Sequence, residues 1–223
     1  MYKMQYCNLD QIHVIVVVDA FRAFATASYV LERRPAIYLY TAKSTVVSRL
    51  ASNVYNPLLI GKPEKGQKLI YDIPNSPTRV LGEKISGRNI LHRTESGAKG
   101  IMQARHADIV LAAGFVNADA TVKYIKTLPN PKVTITPMGH EATSPSLEDD
   151  ICAEYIEALF YGNKKELNCY ISELRKGSGK IFFSDDQWQY PREDFVRCLE
   201  IGRFNFAIRA KICADYAILT RCD

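Results

Sequence analysis

The chain alternates short apolar runs with longer amphipathic ones. Ile12 and Val14 to Val18 form a nearly unbroken β-branched run. Such a run predicts a strand buried on both faces, because a half-buried strand would alternate with polar residues. A helix is predicted over 21–31, with Phe21, Phe24, Ala25 and Ser28 sharing one face. Further strands are predicted at 37–40, 58–60, 69–71, 90–91, 109–113 and 133–136, and further helices at 45–52, 118–128 and 147–160. The last of these is the clearest. Leu147, Ile151, Tyr155, Ala158 and Leu159 share one face, and Asp150, Glu154 and Glu157 share the other. After Gly162 the texture changes. Leu167, Ile171 and Leu174 predict a helix broken at Gly177-Ser178-Gly179, residues 195–201 read as helical, and Phe204, Phe206 and Ile208 alternate like a strand. Strands alternating with helices predict an α/β domain with a largely parallel or mixed sheet. Residues 1–223 read as one domain, with the candidate site within 1–160 and 161–223 as a C-terminal extension packed on the core.

Composition narrows the class. Of 223 residues, 47% are apolar and 24% charged, which excludes disordered, collagenous and coiled-coil chains. Twenty-nine Lys and Arg against 24 Asp and Glu leave a formal charge of +5. The longest basic stretches are the pairs Arg33-Arg34, Lys164-Lys165 and Arg175-Lys176. Without a basic stripe, this reads as a solvated mixed surface and predicts no nucleic-acid partner. A mild cationic excess suits a small anionic ligand. The cysteines at 7, 152, 169, 198, 213 and 222 form no C-x-x-C pair, so zinc-ribbon and thioredoxin readings lack support. They are expected to be reduced and packed as small hydrophobes. The run ending at Asp19 is too short for a signal peptide, and no stretch has the length of a membrane span. A cytoplasmic location with no membrane partner is expected.

In open α/β sheets, ligands gather beyond the carboxyl ends of strands, and helix N-termini offer free N–H groups to anions. The first strand is followed by Asp19-Ala20-Phe21-Arg22, an acid and a base at a strand-to-helix turn. Asp19 there is also a natural helix cap. Residues 69–71 are followed by Asp72-Ile73-Pro74-Asn75-Ser76-Pro77. Ser76 and Pro77 make a good N-cap and N1 pair, which leaves Asp72 and Asn75 unexplained. Residues 90–91 lead to Glu95-Ser96-Gly97-Ala98, a small polar turn able to cradle phosphate through backbone N–H groups. Asn117 precedes a helix and reads locally as its cap. Ser146, Glu148 and Asp149 open the 147–160 helix in a pattern close to a capping box.

Two apparent phosphate loops are discarded. Gly61 to Gly66 is followed by Gln67 where a P-loop needs Lys, and Gly177-Ser178-Gly179-Lys180 lacks the upstream Gly. The four His residues show no zinc-ligand spacing, and no G-x-S-x-G elbow is present. Carboxylates are therefore the main candidate metal ligands, a chemistry that suits Mg2+.

Taken in order, the junctions resemble the 2-phosphosulfolactate phosphatase family. Its D-V-L-R-A-T-S-T segment is matched by Asp19-Ala20-Phe21-Arg22-Ala23-Phe24-Ala25-Thr26, and its F-D-x-G-N-S-P by Tyr71-Asp72-Ile73-Pro74-Asn75-Ser76-Pro77. Its T-N-G-T turn is matched by Glu95-Ser96-Gly97-Ala98, its N-A pair by Asn117-Ala118, and its A-G loop and acidic pair by Met138-Gly139 and Glu148-Asp149. The resemblance implies a three-layer α/β/α fold, a homodimer, and Mg2+-dependent hydrolysis of a phosphate monoester on a small 2-hydroxy carboxylic acid. Carried onto this chain, it implies catalytic roles for Asp19 and Arg22. Lys62, Asn75, Ser76, Ser96, Gly97 and Asn117 would bind substrate, and Asp19, Asp72, Glu148 and Asp149 would hold the metal. The departures are specific. Lys62 stands where the family has Glu, Phe24 and Ala25 where it has Thr and Ser, and Gly202 where an Asp is expected. Glu64 is a candidate replacement carboxylate. These changes motivate an alternative: a non-catalytic relative that binds a phosphorylated or carboxylated metabolite.

Overall fold

The structure, a computed structural model, describes residues 11–64, 66–163 and 165–223. Cys7 and Lys164 lie outside the described residues. The first half runs β1 (Ile12–Val18), α1 (Ala23–Glu32), β2 (Ile37–Thr41), α2 (Ser44–Ala51), β3 (Leu58–Ile60), α3 (Pro77–Leu81), β4 (Asn89–Arg93) and α4 (Ser96–Gln103). The second runs β5 (Ile109–Ala113), α5 (Ala118–Lys126), β6 (Pro131–Pro137), α6 (Leu147–Phe160), α7 (Asn168–Lys176), α8 (Arg192–Cys198), β7 (Ala207–Ile212) and β8 (Ala217–Cys222). Short 3-10 turns occupy Ala104–His106, Phe115–Asn117 and Ser178–Phe183.

The eight strands of the described residues join one sheet in the order β3-β4-β2-β8-β7-β5-β1-β6. The trios β3-β4-β2 and β5-β1-β6 are parallel within themselves. The β7–β8 hairpin stands between them and pairs antiparallel on both sides. The sheet is thus mixed, with parallel pairing predominating.

The continuous apolar run of β1 is explained by cover on both faces. Ile15 and Val17 pack in a cluster with Phe24 and Tyr29 of α1 and Ile101 of α4. Val14, Val16 and Val18 pack in another with Val122 of α5 and Ile151 and Ile156 of α6. In the other trio, Tyr38, Tyr40 and Ile90 join the α1 and α4 side, while Leu39 and Leu91 meet Val46, Val47 and Leu50 of α2. Helices therefore lie on both faces of the sheet, giving three layers. No helix among the described residues is long and apolar enough to cross a membrane.

Several elements differ from expectation. Residues 69–71 form no strand, and Ile70 is 85% exposed; an isolated bridge joins Ile60 to Ile73 instead. The 133–136 strand extends to Pro131–Pro137, and its prolines are tolerated because β6 is at the sheet edge. Phe204 and Phe206 are buried lead-in residues, and the strand itself begins at Ala207. β8 was not anticipated. Residues 161–223 are also more than an outer layer, because their hairpin fills the middle of the sheet. Cys152 and Cys198 are buried free thiols, whereas Cys169 is exposed and Cys213 and Cys222 are partly so.

Candidate active site

Asp19 leaves β1 as the chain turns toward α1. Its Oδ1 accepts the N–H of Ala23 at 3.1 Å, and its Oδ2 accepts the N–H of Gly97 at 2.9 Å. The first bond is the local cap read from the sequence. The second joins β1 to the turn opening α4, 78 residues away. Gly97 is required by this approach: a Cβ there would stand 2.8 Å from the Tyr40 hydroxyl and 3.0 Å from Asp19 Oδ2.

Asp19 forms one wall of a cavity of about 460 Å3. Arg22, Lys62, Asn75, Ser96 and Glu148 also line it, so six of the candidate residues share one hollow. Gly97 adjoins it through Asp19. Asp149 stands behind it and does not complete a capping box. Its Oδ1 accepts the N–H of Ala20 at 2.7 Å and its Oδ2 that of Gly139 at 2.9 Å. It thereby clamps the loops after β1 and β6. Burial pushes the Asp149 carboxyl well above the usual range, and the neighbouring Asp19 charge adds to this. Burial likewise raises Asp19 to about 6, opposed by its two N–H bonds and reinforced by Glu148. Glu148 is only 7% exposed, and its Oε2 has no hydrogen-bond partner among the described residues.

Arg22 is 6% exposed and held from the C-terminal part of the chain. Its Nη1 donates to Asp194 Oδ2 at 2.7 Å and to the Gln189 carbonyl at 2.8 Å. The rings of Tyr190 and Phe182 lie 4.8 and 5.6 Å from its Cζ. Asp194 is fully buried, and its Oδ1 accepts from the Ser76 hydroxyl and the Thr78 N–H, each at 2.9 Å. Ser76 also accepts the Arg79 N–H as the N-cap of α3. Ser76 thus serves Asp194 rather than lining the hollow.

Two candidates lie elsewhere. Asp72 is exposed, and its Oδ2 accepts the Leu59 N–H at 2.8 Å. Asn117 is buried within its own turn, accepting from Gly114 N–H at 2.9 Å and donating to the Ala112 carbonyl at 3.1 Å. Each satisfies nearby backbone groups, as buried or strand-end polar residues commonly do. Glu64 also misses the hollow. Its carboxylate accepts the Ser44 N–H at the start of α2, and its own N–H donates to the Ser44 hydroxyl.

Sequence reasoning missed Arg93, His92 and Asp194. Arg93 ends β4 and lines the hollow at 4% exposure. Its Nε donates to the Ala42 carbonyl at 2.9 Å, and its guanidinium stands 3.9 Å from Glu64 and from Glu95. Its position one residue before the Thr94–Gly97 turn was the available signal. Asp194 carried none, because an acid in a helix first turn is ordinary. Glu95 bonds Lys99 at 3.0 Å, and that bond, with the nearby cations, holds its carboxyl below its usual range. A second cavity, about 500 Å3 between β6 and α6, contains none of the candidate residues.

A family model described as 2-phosphosulpholactate phosphatase matches residues 3–181. The chain belongs to this family. Its members carry the name of a phosphoric monoester hydrolase. A Bacillus subtilis relative named as a probable 2-phosphosulfolactate phosphatase is 27% identical over 220 residues, covering 94% of this chain and 92% of the relative. Relatives of the same name from Deinococcus radiodurans and Gloeobacter violaceus are 31% and 30% identical. Those matches cover 66% and 62% of this chain and only 62% and 59% of the relatives. The matched family region contains Asp19, Arg22, Arg93 and Glu148, but it ends before Asp194.

Among the described residues, no three His, Cys, Asp or Glu side chains are grouped to hold an ion. The four-carboxylate set is therefore not assembled, since neither Asp72 nor Asp149 lines the hollow. Asp19 and Glu148 still fit Mg2+. They are hard oxygen donors, Glu148 Oε2 is buried without a partner, and their mutual repulsion would be relieved by a cation. One or two carboxylates plus waters and substrate oxygens is a usual Mg2+ shell.

Proposed function

We propose that this chain is a Mg2+-dependent phosphatase that hydrolyses a phosphate monoester of a small 2-hydroxy carboxylic acid of the 2-phosphosulfolactate kind. The observation that carries the proposal is one hollow lined by Arg22, Arg93, Lys62 and Asn75 together with Asp19 and Glu148. The cationic groups suit the phosphate and carboxylate of the substrate, and the two carboxylates suit a metal.

In this reading Arg22 binds a substrate oxyanion with the guanidinium N–H groups that Asp194 and Gln189 leave free. Because its Nη1 is fixed by two bonds, little side-chain freedom is lost on binding. Ser96 and Asn75 add neutral donors. Asp19 and Glu148 would hold the ion, which when bound supplies positive charge against the phosphoryl oxygens. Phe21, Phe182 and Tyr190 line the same hollow and exclude water from part of it. The relatives' names support the substrate type. A cytoplasmic location, a homodimeric state and the lack of nucleic-acid and membrane partners belong to the same proposal.

A second reading, binding without turnover, is favoured by Lys62, a lysine lining the hollow that adds positive charge to it. Phosphate release from a panel of 2-phospho acids, with and without Mg2+, separates the two. The phosphatase reading expects Mg2+-dependent release that Asp19→Asn abolishes. Ligand binding by calorimetry with no release from any member would establish the second reading instead.

A further inference from the structure

His92 has no place in the chemistry above, yet it is a fully buried histidine with both ring nitrogens bonded. Its Nδ1 lies 2.6 Å from the Tyr38 hydroxyl, and its Nε2 lies 3.0 Å from Asn75 Oδ1. Asn75 in turn lines the hollow. Tyr38, at 1% exposure, has His92 as its hydrogen-bond partner among the described residues.

Hydrogen accounting sets the direction of this chain. If Nδ1 carried the proton, it would donate to the Tyr38 oxygen and leave the buried phenol hydrogen without an acceptor. The bare Nε2 would then face the Asn75 oxygen, lone pair to lone pair. Both faults are costly in a buried site. With the proton on Nε2, Tyr38 donates to Nδ1, Nε2–H donates to Asn75 Oδ1, and every group is satisfied. The charged imidazolium does not compete, because burial and the nearby Arg22 charge push His92 down to about 3. The Asn75 oxygen is then occupied by His92. Its amide nitrogen has no protein acceptor among the described residues and remains for a ligand in the hollow.

We infer that Tyr38 and His92 are positioning residues that lock the Asn75 amide with its NH2 toward the hollow, making it a donor selective for an anionic ligand group. The inference rests on the phosphatase reading for the identity of that anion, but not for the direction of the chain of bonds.

The test uses the full 15N-labelled protein, with inorganic phosphate in the presence of Mg2+ as probe. Long-range 1H–15N correlation is expected to find His92 as a single neutral Nε2–H tautomer from pH 5 to 8. Tyr38→Phe removes the donor to Nδ1, so the Nδ1–H tautomer becomes accessible with the Asn75 amide turned over to donate its NH2 to Nε2. His92 should then report a mixture, and the phosphate Kd should rise roughly two- to five-fold as the competent fraction falls. Asn75→Asp, which presents an oxygen in place of the NH2, should weaken phosphate at least about ten-fold. An Nδ1–H tautomer in the parent protein would overturn the inference, as would a tautomer mixture in Tyr38→Phe with unchanged Kd. No phosphate binding by the parent would overturn the phosphatase reading and the ligand half of this one, while the tautomer would still decide the bonding half.

Discussion

Replacing Asp194 by Ala should separate the support of Arg22 from its chemistry. Asp194 is fully buried and satisfies three groups: Arg22 Nη1 at 2.7 Å, the Ser76 hydroxyl at 2.9 Å and the Thr78 N–H at 2.9 Å. Removing it leaves a 6%-exposed guanidinium beside the Phe182 and Tyr190 rings without the carboxylate it bonds. Breaking one side of such a buried pair costs about 3–5 kcal/mol. Arg22 keeps its bond to the Gln189 carbonyl, so about 3–4 kcal/mol is expected. At roughly 2–4 °C per kcal/mol for a chain of this size, the melting temperature should fall by about 6–16 °C. The double variant Arg22→Met with Asp194→Leu removes both charges and refills the volume. It should recover most of the lost stability, because apolar replacement of a buried pair is often neutral. It should not recover phosphate binding, because the oxyanion ligand is gone. Calorimetric melting and phosphate titration on the parent and both variants read these quantities. A loss under about 2 °C in Asp194→Ala would refute the reasoning, since Arg22 would then not depend on Asp194. Phosphate binding by the double variant at parental affinity would remove Arg22 from the site.

Three further predictions concern carboxylates and polar turns. The native Asp19 carboxyl has a pKa of about 6 against 3.8 for the free group, so the folded state holds its proton more tightly than the unfolded one. Without Mg2+, stability should therefore fall as pH rises from about 4 through about 6, and the raised Asp149 carboxyl contributes in the same direction. Asp19→Asn should reduce that slope in melting curves, leaving the part that belongs to Asp149; an unchanged slope would remove Asp19 from it. Asp72→Asn should leave phosphate release intact and cost at most about 1 kcal/mol, because it loses only an exposed bond to the Leu59 N–H. Asn117→Ala should cost about 1–3 kcal/mol by stranding the buried Gly114 N–H and Ala112 carbonyl, with little change in phosphate affinity in the folded protein. Denaturant titration and phosphate binding on both variants check the contrast.

Some elements were legible from the chain because their cause is local. Three-residue and longer apolar runs bounded by turns located β1, β3 and β5, and the 3.6-residue period located α6 to its observed ends. The Ser76-Pro77 cap was legible because it depends only on the residues it touches. Residues 69–71 misled because an apolar triplet is an equally good surface segment once Ile60 bridges Ile73. β8 gave no clear period because its burial is set by the strands on either side.

The chain alone thus determined an α/β layered fold and the junctions where chemistry would gather, since backbone preference, apolar period and strand-end polarity act over a few residues. Only the tertiary structure decided which polar groups face the hollow. Asp19, Arg22, Asn75, Ser96 and Glu148 do, while Asp72 and Asn117 serve nearby backbone groups. It also brought in Asp194, 172 residues from Arg22, and the buried His92. The physical reason is that a polar side chain goes to whichever unsatisfied partner packing brings within reach, and packing is a property of the whole sheet rather than of any one segment.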